Sequence, residues 1–288
     1  MTCVYCSLAE QYVNPLFEVF DGGDFVLSSS RDIEDPLSEV SIYFDQGDPA
    51  AARAALAEAL ALVGAEAEIR ERTVPDEDWK FAYRRHFTAE AISPRLAVVP
   101  EWEAYSPAPG QRVVRIDPGM AFGTGRHETT RACLEYVDEL AAADAGRSFL
   151  DVGTGSGILA VAARKLGFRD VRGFDLDREA VRVAKETAAL NGAAEIEIFR
   201  GDLSGIMPGN PEIPPADVVA ANVLGPVLIR FASQVSALVR PGGRLILSGI
   251  LEELYPEVAA AYAAQGFREL SARTRGEWRT GLFAHEGD

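Results

Sequence analysis

The segment Phe149-Leu150-Asp151-Val152-Gly153-Thr154-Gly155-Ser156-Gly157 constrains this chain more than any other. An apolar run of strand character passes straight into three glycines spaced two apart, and a helix-type pattern starts at Ile158. Glycine reaches backbone conformations closed to other residues and lets a ligand lie against bare peptide groups. A strand, a tight glycine turn and a helix in that order form the opening unit of an open α/β sheet. About twenty residues further on, the strand-like run Val171-Arg172-Gly173-Phe174 ends at Asp175. A carboxylate at that place accepts hydrogen bonds from ribose hydroxyls. Together these residues predict a nucleoside-containing cofactor, with Gly153, Gly155 and Asp175 among its contacts.

The glycine spacing separates two kinds of cofactor. A dinucleotide fingerprint reads G-x-G-x-x-G, but here its third position is Ile158 and the glycines read G-x-G-x-G. That loop resembles the one in S-adenosylmethionine-dependent methyltransferases, where no diphosphate has to be held. S-adenosylmethionine is therefore the expected cofactor.

Composition bounds the rest. With 288 residues, 48% of them hydrophobic, the chain has room for one large domain and a small one. No window reaches the length of an apolar membrane span, and the start lacks a basic region followed by an apolar run, so a cytoplasmic location is expected. Cys3, Cys6 and Cys133 are too few and scattered for a disulfide framework. Cys3 and Cys6 read C-x-x-C, yet no second ligand pair accompanies them, so two half-buried cysteines are expected and no metal site. The net charge is −16, and residues 1–100 hold 18 acidic against 8 basic residues. An acidic front repels nucleic-acid phosphates and favours a basic partner; ordinary solubilising charge explains it equally well.

The first seventy or so residues form their own compositional zone. Phe17–Phe20, Phe25–Leu27 and Val40–Phe44 read as short strands, Pro49 opens an alanine-rich helix to Val63 ended by Gly64, and Glu68–Arg70 reads as a returning strand. A small α+β unit with helices on one face of a sheet is expected. Trp79, Tyr83 and Phe87 then mark a linker helix from Pro75, and Leu96–Pro100 a further strand. The expected division is a small domain over 1–73, a linker helix and lead-in strand over 74–110, and a cofactor-binding domain over 111–288.

From Phe149 onward strands alternate with helices. The expected helices run from Ile158 to Leu166, from the cap Asp177 to Asn191, and through Leu228, Phe231, Val235 and Leu238 to Pro241-Gly242-Gly243. Further strands hold Ile196 and Ile198, Asp217–Ala221 and Leu245–Leu247, and a closing hairpin turns at Gly276. Ligands bind at the carboxyl ends of such strands, so Gly153, Asp175, Asp202 and Asn222 are expected to converge. Asp202 suits an adenine amino group or a plain turn. Asn222, with a side-chain amide at a strand tip, can hold the N–H of an amine and fix the aim of its lone pair. Upstream, Asp117 to Thr130 carries three further glycines; Thr129 or Thr130 is placed to cap the next helix, and His127 reads as a general base or as a loop residue shaping the site.

With these segments in hand, the chain resembles the bacterial ribosomal protein L11 methyltransferase family. The most specific likeness is Asp117-Pro118-Gly119 through Thr130, similar to the family's D-P-G-x-A-F-G-T-G-x-H-x-T-T loop. Leu150–Ile158, Asn222–Pro226 and Leu247–Glu253 are similar to family segments as well. The resemblance implies an α/β, Rossmann-like, seven-stranded methyltransferase sheet with a small N-terminal substrate-docking α+β domain. It implies adenosylmethionine contacts at Thr130, Gly153, Asp175 and Asn222, with Phe122 and Thr124 in a loop closing over the cofactor and Asn222 catalytic. The implied substrate is ribosomal protein L11, methylated on lysine side chains and its N-terminal amine, with no direct nucleic-acid partner and no membrane. Arg126 and Glu128 stand where the family has Thr and Pro, and Thr154 where it has Cys. The first seventy residues match poorly, so another protein lysine, a small molecule or RNA stays open as substrate, as does a non-enzymatic adenosylmethionine-binding module.

Overall fold

The chain forms two units, Met1–His86 and Phe87–Asp288, in a computed structural model that describes residues 2–20, 27–30, 37–44, 49–73, 87–117, 127–144, 146–206 and 213–286. The expected linker helix from Pro75 falls on residues outside this range, apart from Phe87.

In the first unit, strands β1 (Thr2–Ala9), β2 (Leu27–Ser30), β3 (Leu37–Phe44) and β4 (Arg70–Thr73) form one sheet in the order β2-β3-β1-β4. Helices α1 (Val13–Phe20) and α2 (Pro49–Leu62) complete it. Alternation puts Val4, Cys6 and Leu8 of β1 and Val40 and Ile42 of β3 into one core with Leu16 and Leu56 of the helices. The strand expected over Phe17–Phe20 is instead the end of α1. Val13, Leu16, Phe17 and Phe20 repeat at helical spacing, and Pro15 is tolerated within a first turn. Cys3 and Cys6 are both free and fully buried, not half-buried. Three residues apart on a strand, they point to opposite faces and cannot share a ligand.

The second unit is built on a seven-stranded sheet. Its strands are β8 (Phe149–Val152), β9 (Val171–Asp175), β10 (Glu197–Arg200), β11 (Ala216–Asn222), β12 (Val239–Leu251), β13 (Phe267–Arg275) and β14 (Trp278–His285), in the order β10-β9-β8-β11-β12-β14-β13. The first five pair in parallel and the closing hairpin antiparallel. The helices are α3 (Glu128–Ala143), α4 (Ile158–Leu166), α5 (Arg178–Leu190), α6 (Gly225–Arg230), α7 (Ala232–Ala237) and α8 (Tyr255–Ala263). Central strands are apolar on both sides because both faces are covered. Phe149, Val218, Ala220 and Ile246 pack with α3 and α4, whereas Leu150, Val219, Ala221 and Leu247 pack with α6, α7 and α8.

Two features differ from expectation. The helix expected to end at Pro241 is two short helices meeting at Phe231, and Pro241-Gly242-Gly243 lies inside β12. Val239 pairs with Ala216, and the register then skips to Arg244 opposite Val218, so this triplet is an irregularity in a strand, with Gly242 at φ +74°. A second, three-stranded sheet of β5 (Glu90–Ser93), β6 (Leu96–Pro100) and β7 (Arg112–Ile116) was only half legible. Arginines at 112 and 115 mask the period-two burial of Val114 and Ile116 in β7.

Candidate active site

Strand order reverses between β8 and β11, so the crevice at their carboxyl ends is where this architecture receives a ligand. Gly153 follows β8 directly and Asn222 ends β11. Three left-handed glycines build the turn, Gly153 at φ +67°, Gly155 at +53° and Gly157 at +79°. Thr154, Ser156 and Gly157 are buried while Gly153 and Gly155 keep accessible surface. The bared backbone is therefore theirs.

Asp175 is drawn onto that loop. Its Oδ2 accepts the Gly155 N–H at 2.9 Å and its Oδ1 the Asp177 N–H at 3.0 Å. Asp177 in turn caps α5 through the Glu179 N–H. Beneath the loop, Asp151 accepts from the Thr154 hydroxyl at 2.7 Å and from the Ala160 N–H at 3.3 Å. Burial pushes the Asp151 carboxyl up to about 7, against the opposing pull of those two hydrogen bonds.

Asp202 stands at the end of β10, where the backbone N–H of Gly201 bonds the carbonyl of Asp175 at 3.0 Å. Its Oδ1 accepts the Ser204 N–H at 2.8 Å and caps a short 3-10 turn. The backbone and hydroxyl of Ser204 hold its carboxyl below the usual range. Asp202 also borders a cavity of about 450 Å³ with Phe199, Ile206 and Ile213.

At the other side of the crevice, Asn222 Nδ2 donates to the Thr130 hydroxyl at 3.4 Å. Asn222 Oδ1 is buried and has no hydrogen-bond partner among the described residues. A buried amide oxygen left bare costs about 1–3 kcal/mol, which a hydrogen-bond donor from a ligand would relieve. The two halves touch: a β-carbon built on Gly153 would stand 2.5 Å from Val223 Cγ1, next to Asn222. Gly153, Gly155, Asp175, Asp202, Thr130 and Asn222 thus lie along one edge of the sheet. Phe122 and Thr124 lie outside the described residues.

Asn222 opens onto a second cavity of about 450 Å³, walled by His127, Thr129, Leu224, Gly249 and Trp278. Its described lining holds no acid, lysine or arginine. Neither Thr129 nor Thr130 caps α3, contrary to expectation. The cap is His127, whose Nδ1 accepts the Thr129 N–H at 3.4 Å and lies 2.8 Å from the Thr129 hydroxyl. The ring meets Trp278 edge-on at 5.2 Å between centroids. Trp278 was not singled out from the sequence; its one signal was a large aromatic just past the hairpin turn at Gly276.

These residues fit S-adenosylmethionine. Ile158 stands where a dinucleotide fingerprint has its third glycine, Asp175 is bonded to the bared backbone at Gly155, and the Asn222 oxygen offers an unpaired acceptor. Comparison with known proteins agrees. The family described as "Ribosomal protein L11 methyltransferase (PrmA)" matches residues 19–285. A protein named ribosomal protein L11 methyltransferase from Geobacter sulfurreducens is 45% identical over 214 residues, 74% of this chain and 68% of that one. One of the same name from Chloroflexus aurantiacus is 39% identical over 230 residues, 73% and 70% of the two chains. A crystal structure described as ribosomal protein L11 methylase from Lactobacillus delbrueckii subsp. bulgaricus superposes with a TM-score of 0.62 at 33% identity, covering 69% of this chain and 100% of that one.

Proposed function

The chain belongs to the ribosomal protein L11 methyltransferase (PrmA) family, and from that premise we propose that it methylates ribosomal protein L11 on lysine side chains and the N-terminal amine. It is an S-adenosylmethionine-dependent protein methyltransferase. The observation that carries the reading is the bare Asn222 oxygen beside an uncharged cavity.

A free lysine amine has a pKa of about 10.4 and is charged at neutral pH, with no lone pair to give. The uncharged walls around Asn222 disfavour the ammonium and favour the neutral amine, whose proton leaves to water. Asn222 Oδ1 accepts one N–H of that amine and so aims its lone pair. S-adenosylmethionine, when bound, supplies a methyl group on a sulfonium for that lone pair to take. Gly153 and Gly155 offer backbone to the cofactor, Asp175 takes the ribose hydroxyls, Asp202 the adenine amino group, and Thr130 borders the methionine end. Phe122 and Thr124 belong to the loop proposed to cover it.

The remaining assignments follow the same reading. Residues 1–73 dock the substrate and 111–288 bind the cofactor, while of the expected link, 74–110, the part from Phe87 folds with the second unit. A front with 18 acidic and 8 basic residues in its first hundred suits a basic ribosomal protein and repels RNA. No helix of the described residues is long and apolar enough to cross a membrane, and the cytoplasm, where ribosomal proteins are made, is the proposed location. The test is incubation with methyl-labelled cofactor and a ribosomal extract, followed by mass spectrometry of the labelled band. Label on ribosomal protein L11 is expected; label on RNA or on another protein alone overturns the substrate.

A further inference from the structure

Ser248 is a hydroxyl on a buried, largely apolar run of β12. Leu245, Ile246, Leu247 and Ile250 around it on β12 are fully buried, and so is Ser248. A hydroxyl in such a place is costly unless its hydrogen bonds are made. Two hydrogen bonds of Ser248 are to oxygen, the carbonyl of Thr129 at 3.2 Å and the hydroxyl of Thr280 at 2.6 Å, and the Cys133 thiol is a third partner. A carbonyl only accepts, so the single Ser248 proton goes to Thr129, and Thr280 must donate to Ser248. The direction of the chain is thereby set, from β14 through β12 to the first turn of α3.

That turn carries Thr130, the partner of the Asn222 amide. Ser248 also stands opposite Asn222 in the parallel pairing of β11 and β12. The register between β12 and β14 breaks between Leu247 and Ile250, an irregularity of the kind that redirects a side chain beside a site. Thr129 and Thr130 are themselves fully buried.

We propose that Ser248 is a positioning residue for methyl transfer: its hydroxyl, held by Thr280, locks the first turn of α3 and with it the Thr130 hydroxyl that orients the Asn222 amide. Without that lock the turn can shift, the Nδ2 contact loosens, and the Asn222 oxygen loses its fixed aim. The inference rests on the function proposed above, because it concerns the same amide.

A double-mutant cycle in the full-length chain tests it, reading kcat on ribosomal protein L11 and cofactor Kd by calorimetry. Ser248→Ala is expected to lower kcat roughly tenfold with cofactor Kd within about twofold, since misplacement by a fraction of an ångström suffices for such a loss. In the Asn222→Ala background the same substitution is expected to change kcat by less than about twofold, because residues acting through one another are not additive. Wild-type kcat in Ser248→Ala, an equal loss of cofactor affinity, or a loss that multiplies with that of Asn222→Ala overturns the proposal. Should Ser248→Ala fail to fold, Thr280→Val decides: a lower kcat at unchanged Kd, restored by Thr280→Ser, supports it, and wild-type kcat overturns it. Wild-type turnover in Asn222→Ala alone would overturn the site assignment beneath both.

Discussion

The amide nitrogen of Asn222 donates one hydrogen bond to the Thr130 hydroxyl, 3.4 Å away, and its oxygen stays bare. With Nδ2 engaged by Thr130, Oδ1 is the unpaired end of the amide. Removing the amide in Asn222→Ala is expected to cut kcat by about 10²–10³, the scale of losing one preorganised polar contact at a reacting centre. Cofactor affinity should stay near wild type in calorimetry. Turnover at the wild-type rate would remove Asn222 from the chemistry.

Asp175 does two things at once. It is proposed to hold the ribose, and it fastens the glycine loop through the Gly155 N–H at 2.9 Å. Asp175→Ala should therefore abolish measurable cofactor binding in calorimetry, and Asp175→Asn, which keeps an acceptor for Gly155, should retain weak binding. Equal affinities in wild type and Asp175→Ala would defeat the assignment.

Gly153 admits no side chain. Its φ of +67° disfavours any β-carbon, and one built there meets Val223 Cγ1 at 2.5 Å. Gly153→Ala is expected to cost about 1–3 kcal/mol in urea unfolding. Adding Val223→Ala should recover the packing share and leave the backbone share. No recovery in the double variant would show that the clash is relieved some other way.

Stability should fall as pH rises from about 4 to about 7, and Asp151 is the cause. Burial lifts its carboxyl from 3.8 to about 7 in the folded protein, so in that window the native state holds a proton the unfolded chain has released. By linkage the native state loses ground as pH climbs through the window and levels off above it. Asp151→Asn removes the titration. Its unfolding free energy in cofactor-free protein should lack this slope, and at pH 8 it should exceed wild type by a few kcal/mol, up to about 4. Parallel pH profiles for the two proteins would rule out the assignment.

Much of the cofactor side was legible before any coordinates, because its signals are local. Gly153, Gly155 and Asp175 lie within one strand-turn-helix-strand run, and a turn that only glycine can make announces itself in the chain. Asp177 as a cap and Asn222 at a strand tip were readable for the same reason. Helix α1 reads as a strand from the sequence because five apolar residues within eight positions satisfy a strand or a helix until burial decides between them. β7 was missed because arginines interrupt its alternation.

The acceptor side was hardly readable. Asn222 and Thr130 are 92 residues apart, and Ser248 and Thr129 are 119 apart. His127 as a cap, Trp278 as a wall and the Ser248–Thr280 pair depend on which strand lies beside which and on the parity of each register. Backbone conformation is written in neighbouring residues, so the chain alone announced the glycine turn and its carboxylate. A hydrogen bond between distant side chains exists only once the sheet has closed, and it was the packed fold that selected the residues around Asn222.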